Sequence, residues 1–168
     1  MVRVPMSLTD SNKGVTLLEV SMALTVLSIM CAFAFNPMRG YLRSIDFRNS
    51  GENIKRLIQT AQSRAMANPN IHVGIYFDRT SKPNKAFLFQ DKANPADYTY
   101  DGASDPRYLQ PEVLKKGIVF QALAGFPDEI VFRGDGSAWK SMKILITDGT
   151  RKDTLDVLAS TGRVRLGK

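Results

Sequence analysis

The ionisable side chains of this sequence do not form a pattern that supports catalysis. His72 is the only histidine, and a metal centre or general base built on histidine needs further ligands or partners beside it. The aspartates between residues 91 and 105 lack the spacing of a calcium-binding loop. No phosphate-binding glycine loop and no nucleophile with an adjacent base is present. We therefore expect no enzymatic activity, no cofactor and no bound metal.

One carboxylate stands out by its surroundings. Glu19 is the only charged residue in the segment 15–35, VTLLEVSMALTVLSIMCAFAF, in which the lone cysteine, Cys31, reads as a small apolar residue. Such a run is long enough to cross a membrane as a helix. A carboxylate inside lipid costs several kcal/mol unless it is protonated or paired. Glu19 is therefore expected to have a positively charged partner.

The C-terminal tail carries a second group of charges. Arg163 and Arg165 are two positions apart, so in a strand their side chains lie on one face, with Lys168 nearby. Arg151 and Lys152 could lie across a hairpin and complete a phosphate-contacting patch. An edge strand protected against aggregation by its arginines explains the same residues. The net charge of +7 favours anionic partners without choosing among them.

The segment after the apolar run is predicted to be an amphipathic helix with two apolar faces. Advancing about 100° per residue, the two apolar stripes point roughly 150° to 180° apart. We expect the second to pack on the protein's own domain and the first to face neighbouring subunits; a helix broken at Pro37 or Gly51 is the alternative. The helix should end near Asn68-Pro69-Asn70. The first stripe is Met38, Tyr41, Leu42 and Ile45, and the second is Phe47, Ile54, Leu57, Ile58, Ala61 and Ala65.

The remaining chain has the pattern of a β-rich domain. Short apolar or β-branched runs are separated by turn-like segments, which favours antiparallel hairpins and an α+β fold with a long N-terminal helix packed on an antiparallel sheet. The segment 91–112, rich in Asp, Asn, Pro and Tyr, is predicted to be a long irregular loop. The expected strands are 71–77, 86–90, 117–123, 129–132, 142–147, 155–159 and 163–166.

The junction Lys13-Gly14-Val15-Thr16-Leu17-Leu18-Glu19-Val20 resembles the cleavage site of type IV prepilins and type II secretion prepseudopilins. The shared features are a short basic leader, a glycine before the cut, an apolar helix and a glutamate at the fifth position of the product. The resemblance implies cleavage after Gly14 by a prepilin peptidase and N-methylation of Val15. It also implies that Glu19 pairs with the free amine of an adjacent subunit. Val15 departs from the phenylalanine or methionine usual in the family.

The C-terminal third is similar to a subgroup of these proteins. The segments EIVFRGDGSAW, MKILITDG and LDVLASTGRVRLGK resemble the GspH/FimT family of minor pseudopilins. FimT-like minor pilins use a C-terminal Gly-Arg-x-Arg to bind DNA, and Gly162-Arg163-Val164-Arg165 matches that pattern. The resemblance therefore leaves two roles open. One is a minor subunit of a secretion pseudopilus or type IV pilus, and the other is a DNA-binding subunit for natural transformation.

These observations predict a four-part chain. Residues 1–14 form the leader, 15–35 the transmembrane half of the helix, 36–68 its amphipathic half and 69–168 a periplasmic β-rich domain. The expected location is the bacterial inner membrane, then the filament, with pilin subunits and the assembly platform as partners. Arginines following the span run against the positive-inside tendency. An ordinary signal anchor carrying a plain periplasmic binding module remains an alternative, although residues 36–39 offer no small-residue cleavage site.

Overall fold

The computed structural model describes residues 15–92, 96–102, 104–123 and 127–167. Its first element is one long helix, α1 (Leu17–Ala67). The helical backbone continues through Pro37 and Gly51, so the alternative of a broken helix is wrong. It ends directly before Asn68-Pro69-Asn70, as predicted, because proline disfavours helical geometry in the residue before it.

Two antiparallel four-stranded sheets follow the helix within the described residues. The first has the strand order β3-β2-β1-β5 and the second β4-β6-β7-β8. The α+β prediction, a long helix packed on antiparallel β-structure, is confirmed, with two sheets where one was expected. The strands are β1 (His72–Asp78), β2 (Lys85–Asp91), β3 (Arg107–Val113), β4 (Val119–Ala122), β5 (Glu129–Phe132), β6 (Met142–Thr147), β7 (Lys152–Val157) and β8 (Val164–Gly167).

The second apolar stripe of α1 forms one wall of the core. Its central residues Ile54 and Ile58 are fully buried, in one cluster with residues from both sheets such as Ile75 and Ile146. The first stripe is exposed. The predicted change of face along the helix is confirmed. The buried helix residues are Phe47, Ile54, Ile58, Ala61 and Ala65, and the exposed ones are Met38, Tyr41, Leu42 and Ile45.

The prediction of an irregular loop over residues 91–112 is wrong at its C-terminal end. Residues Arg107–Val113 form β3, an edge strand that pairs with β2. The pairing shifts register between Ala86 and Leu88, which leaves a bulge in β3, where residues 109–111, including Pro111, lie opposite Phe87. Proline is tolerated in edge strands and at bulges because its missing N–H is not required there. The proline and the polar residues gave this segment no strand pattern in the sequence, although it forms a strand by pairing with β2.

The strap, residues 96–102, packs across the outer face of the first sheet. The ring of Tyr100 lies 5.1 Å from Tyr76, 5.1 Å from Phe87 and 5.0 Å from Phe89, between ring centroids. Gly74 makes room for this layer, since a Cβ there would lie 2.3 Å from the Phe89 ring. Phe87 and Phe89 are therefore buried although they point away from the main core.

One helix side chain fixes two turns of the β-domain. Nε2 of Gln62 donates to the backbone oxygens of Gly136 at 2.8 Å and Thr161 at 3.1 Å. Gly162 has a positive φ of 61°, and a Cβ there would lie 2.3 Å from the Gly136 oxygen. Only glycine satisfies both conditions without strain. The glycine that precedes Arg163 thus has a structural reason to be present.

The chain divides into two compact units, residues 1–42 and 43–168. The first contains the apolar segment, and among the described residues α1 is one helix whose length and composition would allow it to cross a membrane. The second contains the rest of α1 and both sheets. The hydrophobic core lies entirely within the second unit.

Candidate functional site

The N-terminus of α1 is organised by a reciprocal pair of hydrogen bonds. The backbone N–H and the hydroxyl of Thr16 donate to Oε2 of Glu19 at 3.0 and 3.1 Å, and the backbone N–H of Glu19 donates to Oγ1 of Thr16 at 3.2 Å. This is a capping box, in which two otherwise unpaired N–H groups at the helix start are satisfied. Both side chains are exposed, so the carboxylate remains open to a further partner.

The apolar segment following this cap is long and apolar enough to cross a membrane. Its large side chains are exposed in the isolated chain, for example Leu17, Leu24 and Phe33. Its hydroxyl groups bond back to the helix, since Ser21 donates to the Leu18 oxygen, and Thr25 and Ser28 make the same kind of bond at 2.8 Å. A polar group satisfied within its own helix removes most of the cost of entering hydrocarbon.

The residues predicted for processing lie at the edge of the described chain. Gly14, with the whole leader, falls outside the described residues, as does Lys168 at the other terminus. Val15 is described and is exposed, with 74% of its surface accessible. The structure therefore brings Val15 and Glu19 together at one helix start.

The C-terminal arginines lie at the edge of the second sheet. Strand β8 pairs only with β7 in the sheet order, and Arg165 is opposite Asp156. Arg163 and Arg165 are both exposed, whereas Val164 and Leu166 between and beyond them pack against the core. The predicted alternation, with both arginines on one face, agrees with this pattern of exposure.

A carboxylate interrupts this basic surface. Asp156 is the cross-strand neighbour of both Lys143 and Arg165, and its Oδ2 lies 3.7 Å from Nζ of Lys143. The expected addition of Arg151 and Lys152 is wrong: Lys152 pairs with Thr147 at the opposite end of β7 from Arg165's neighbour. Lys152 and Asp156 are four residue steps apart along β7, about 13 Å.

An ion pair outside the sequence predictions joins α1 to the second sheet. Nη2 of Arg43 donates to the backbone oxygen of Asp148 at 2.8 Å, and its Nε lies 3.5 Å from Oδ2 of the same residue. Burial raises the pKa of Asp148, but hydrogen bonds from Arg151 and Thr150 and the Arg43 charge outweigh it and lower that pKa to about 2. The long separation of these residues in sequence hides this contact.

The capping role of Thr16 was also missed, although a signal for it exists. The pattern Thr-x-x-Glu directly before an apolar run is typical of a capping box.

The carboxylate of Glu129 accepts the Tyr100 N–H at 2.9 Å, and burial raises its pKa despite that bond. It anchors the strap to β5. Among the described residues, no group of three or more His, Cys, Asp or Glu is placed to hold a metal ion.

Comparison with known proteins identifies the fold. No protein-family model and no curated protein sequence matches the chain. Among solved structures, the minor pseudopilin EpsH of the type 2 secretion system of Vibrio cholerae is similar, with a TM-score of 0.53 and 13% sequence identity. The match covers 72% of this chain and 95% of EpsH. One long N-terminal helix packed on antiparallel sheets therefore gives this chain the pilin-like fold of a minor pseudopilin.

Proposed function

We propose that this protein is a minor pilin or pseudopilin, a structural subunit assembled into a type II secretion pseudopilus or type IV pilus. In that role it supports protein secretion or pilus assembly and catalyses no reaction. The observation that carries the proposal is the combination of a pilin-like fold with an exposed apolar segment at the start of α1, in which Glu19 is the single charge. The exposed apolar surface requires lipid or neighbouring helices to cover it.

Maturation follows from the N-terminal sequence. A prepilin peptidase removes residues 1–14 by cutting between Gly14 and Val15, and the new amine of Val15 is methylated. Residues 15–35 then cross the bacterial inner membrane, 36–68 continue as the amphipathic half of the helix, and 69–168 form the periplasmic domain. Other pilin subunits and the inner-membrane assembly platform are the partners that extract the subunit into the filament.

Glu19 has two functions in this proposal, and they are separable. Its carboxylate caps its own helix through Thr16, and its charge pairs with the Val15 amine of an adjacent subunit. Glutamine can replace glutamate in a capping box but carries no charge. Glu19→Gln should therefore keep the helix start and lose the pairing, whereas Glu19→Val should lose both.

The test is co-purification of the protein with its filament partners from cells, for wild type, Glu19→Gln and Glu19→Val. We expect both variants to insert in the membrane and fold, yet to be lost from the assembled fraction. Assembly of Glu19→Gln at wild-type level, with loss only for Glu19→Val, would show that capping alone matters and would refute the pairing role.

A second candidate function is DNA binding for natural transformation. It is favoured by the exposure of Arg163, directly before the edge strand β8, and of Arg165 within that strand. Asp156 beside Arg165 weakens it, because a carboxylate there repels phosphates. Phosphate contacts carry no base information, so binding should be independent of sequence and fall with salt.

The measurement is fluorescence anisotropy of labelled duplex DNA with the detergent-solubilised chain across a salt series. Arg163→Gln with Arg165→Gln should weaken binding and reduce the log-log salt slope by about 0.9 for each phosphate that the variant no longer neutralises. Lys92→Gln with Lys140→Gln removes the same charge elsewhere and serves as the control. Unchanged binding in the arginine variant would leave filament assembly as the function of the chain.

A further inference from the structure

Three turns of the β-domain lie together at one end of the sheets. Strand β4 begins opposite the end of β6, since Val119 pairs with Thr147, which places the β3–β4 turn beside the β6–β7 turn. Asn84 joins the β1–β2 turn to them, because its backbone oxygen accepts the Leu114 N–H at 3.0 Å and its Oδ1 accepts the Phe120 N–H at 3.1 Å. We call these turns, with Lys152 at the start of β7, the proximal rim; its residues are 79–84, 114–118 and 148–152.

The proximal rim is tied to the part of α1 nearest the apolar segment. Arg43 bonds to Asp148 of the β6–β7 turn. Seven residues lie between Phe35, the last residue of the proposed span, and Arg43, and eight residue steps reach at most about 29 Å in any conformation. Provided that the chain is anchored in the membrane as proposed above, Arg43 is held within that distance of the membrane surface, and Asp148 of the rim bonds to Arg43.

The exposed charges of the rim are positive. The acidic residue of the rim, Asp148, is buried. Two acidic residues beside the rim are also occupied: Asp78 accepts the Thr80 and Ser81 N–H groups, and Asp128 pairs with Arg79. Within the part of the chain that the structure describes, the exposed cations of the rim form no ion pair within 4.0 Å. These cations are Lys82, Lys115, Lys116, Arg151 and Lys152.

A groove of about 570 Å³ opens among these cations. Lys82 and Lys116 line it together with Ile118, Val119 and Phe120, and Val119 is 45% exposed. A simple anion or the backbone of a nucleic acid has no apolar part that could cover the apolar residues of this groove. A molecule with a phosphate beside an apolar chain satisfies both parts of the groove.

We propose that the proximal rim binds anionic phospholipid headgroups of the membrane in which the chain is anchored. The lysines meet the phosphates, and Val119 and its neighbours meet the apolar part of the lipid next to the headgroup. Clustered lysines and arginines beside a span are the chemistry that anionic lipid surfaces attract.

The experiment is hydrogen exchange of the full chain in nanodiscs made of phosphatidylcholine alone or with phosphatidylglycerol. Amides of the rim should exchange at least about fivefold more slowly when phosphatidylglycerol is present, and high salt should remove the difference. Lys82→Glu with Lys116→Glu should abolish it. Lys82→Gln with Lys116→Gln, which adds no negative charge, should reduce it. Lys92→Glu with Lys140→Glu, an equal charge change at the other end of the sheets, should leave it intact.

The outcomes separate this proposal from the proposed function. Failure of the chain to enter either nanodisc would overturn the anchorage, and the rim proposal with it. Normal incorporation with equal exchange in both lipids would overturn the rim proposal alone. Protection of the rim by added duplex DNA in phosphatidylcholine discs, without protection by phosphatidylglycerol, would also overturn it and identify a nucleic-acid surface.

Discussion

Arg43 on α1 and Asp148 in the β6–β7 turn form a contact across 105 residues of sequence, with a 2.8 Å hydrogen bond from the guanidinium to the Asp148 backbone oxygen. The Asp148 carboxylate is buried and also accepts N–H groups from Thr150 and Arg151. These bonds and the Arg43 guanidinium, whose Nε lies 3.5 Å from Oδ2, favour the ionised form, because a charged carboxylate is the stronger acceptor and attracts the cation. The contact attaches α1, at Arg43, to the second sheet at the turn between β6 and β7.

The stability of the β-domain should therefore decrease in acid. The pKa of Asp148 is lowered from 3.8 to about 2, so its contribution of about 2 kcal/mol is present above pH ~4 and is lost as pH falls toward ~2. Urea unfolding followed by fluorescence of the single tryptophan, Trp139, measures it. The Asp148→Asn variant should have a lower free energy of unfolding at neutral pH, and that free energy should change less between pH ~4 and ~2 than it does in the wild type. Glu52→Gln is the control, and an unchanged acid slope in Asp148→Asn would contradict the assignment.

The two faces of α1 predict opposite effects of the same substitution. Ile58 is fully buried and Tyr41 is 67% exposed. Ile58→Asp should destabilise the domain by several kcal/mol, because it buries a charge without a partner. Tyr41→Asp should leave the melting temperature of the domain unchanged. Thermal unfolding of both variants provides the measurement, and equal losses would be inconsistent with a change of face.

Two turn glycines separate backbone strain from steric conflict. Gly149 and Gly162 both have positive φ, at 87° and 61°, but a Cβ at Gly149 meets nothing within 4 Å. A Cβ at Gly162 would meet both the Gly136 oxygen and the Gln62 amide.

We expect Gly149→Ala to cost about 1 kcal/mol from strain alone and Gly162→Ala to cost clearly more. Urea unfolding of both variants measures the difference. Equal losses would mean that the turns held by Gln62 can shift freely. The prediction also concerns DNA binding. A Gly162 variant would change the shape of the turn before Arg163, so weaker DNA binding by that variant would not by itself show that Gly162 contacts DNA.

The parts of the fold that follow local rules were predictable from the sequence. The end of α1 before Pro69, the switch between its two apolar stripes and strands such as β5 and β6 all follow from periodicity and turn residues. Strand β3 was not predictable in the same way. Its Pro111 and polar residues carry no strand pattern, and its existence depends on pairing with β2 around a bulge.

The candidate sites were predictable to different degrees. The position of Glu19 in an apolar run and the alternation of Arg163 and Arg165 can be read from spacing alone. Asp156 beside Arg165 depends on the register between β7 and β8, and the contact of Arg43 with Asp148 depends on tertiary packing. Neither relationship has a local signal, because the partners are distant in sequence.

The assignment as a pilin-like subunit is tested most sharply by the mass of the intact protein recovered from bacterial membranes in the presence of a prepilin peptidase. We predict a single species that begins at Val15 and carries one N-terminal methyl group, and we predict that a bulky substitution of Gly14 leaves the precursor uncut. A wild-type protein that still begins at Met1, or one that begins beyond Phe35 after removal of the apolar segment, would contradict that assignment.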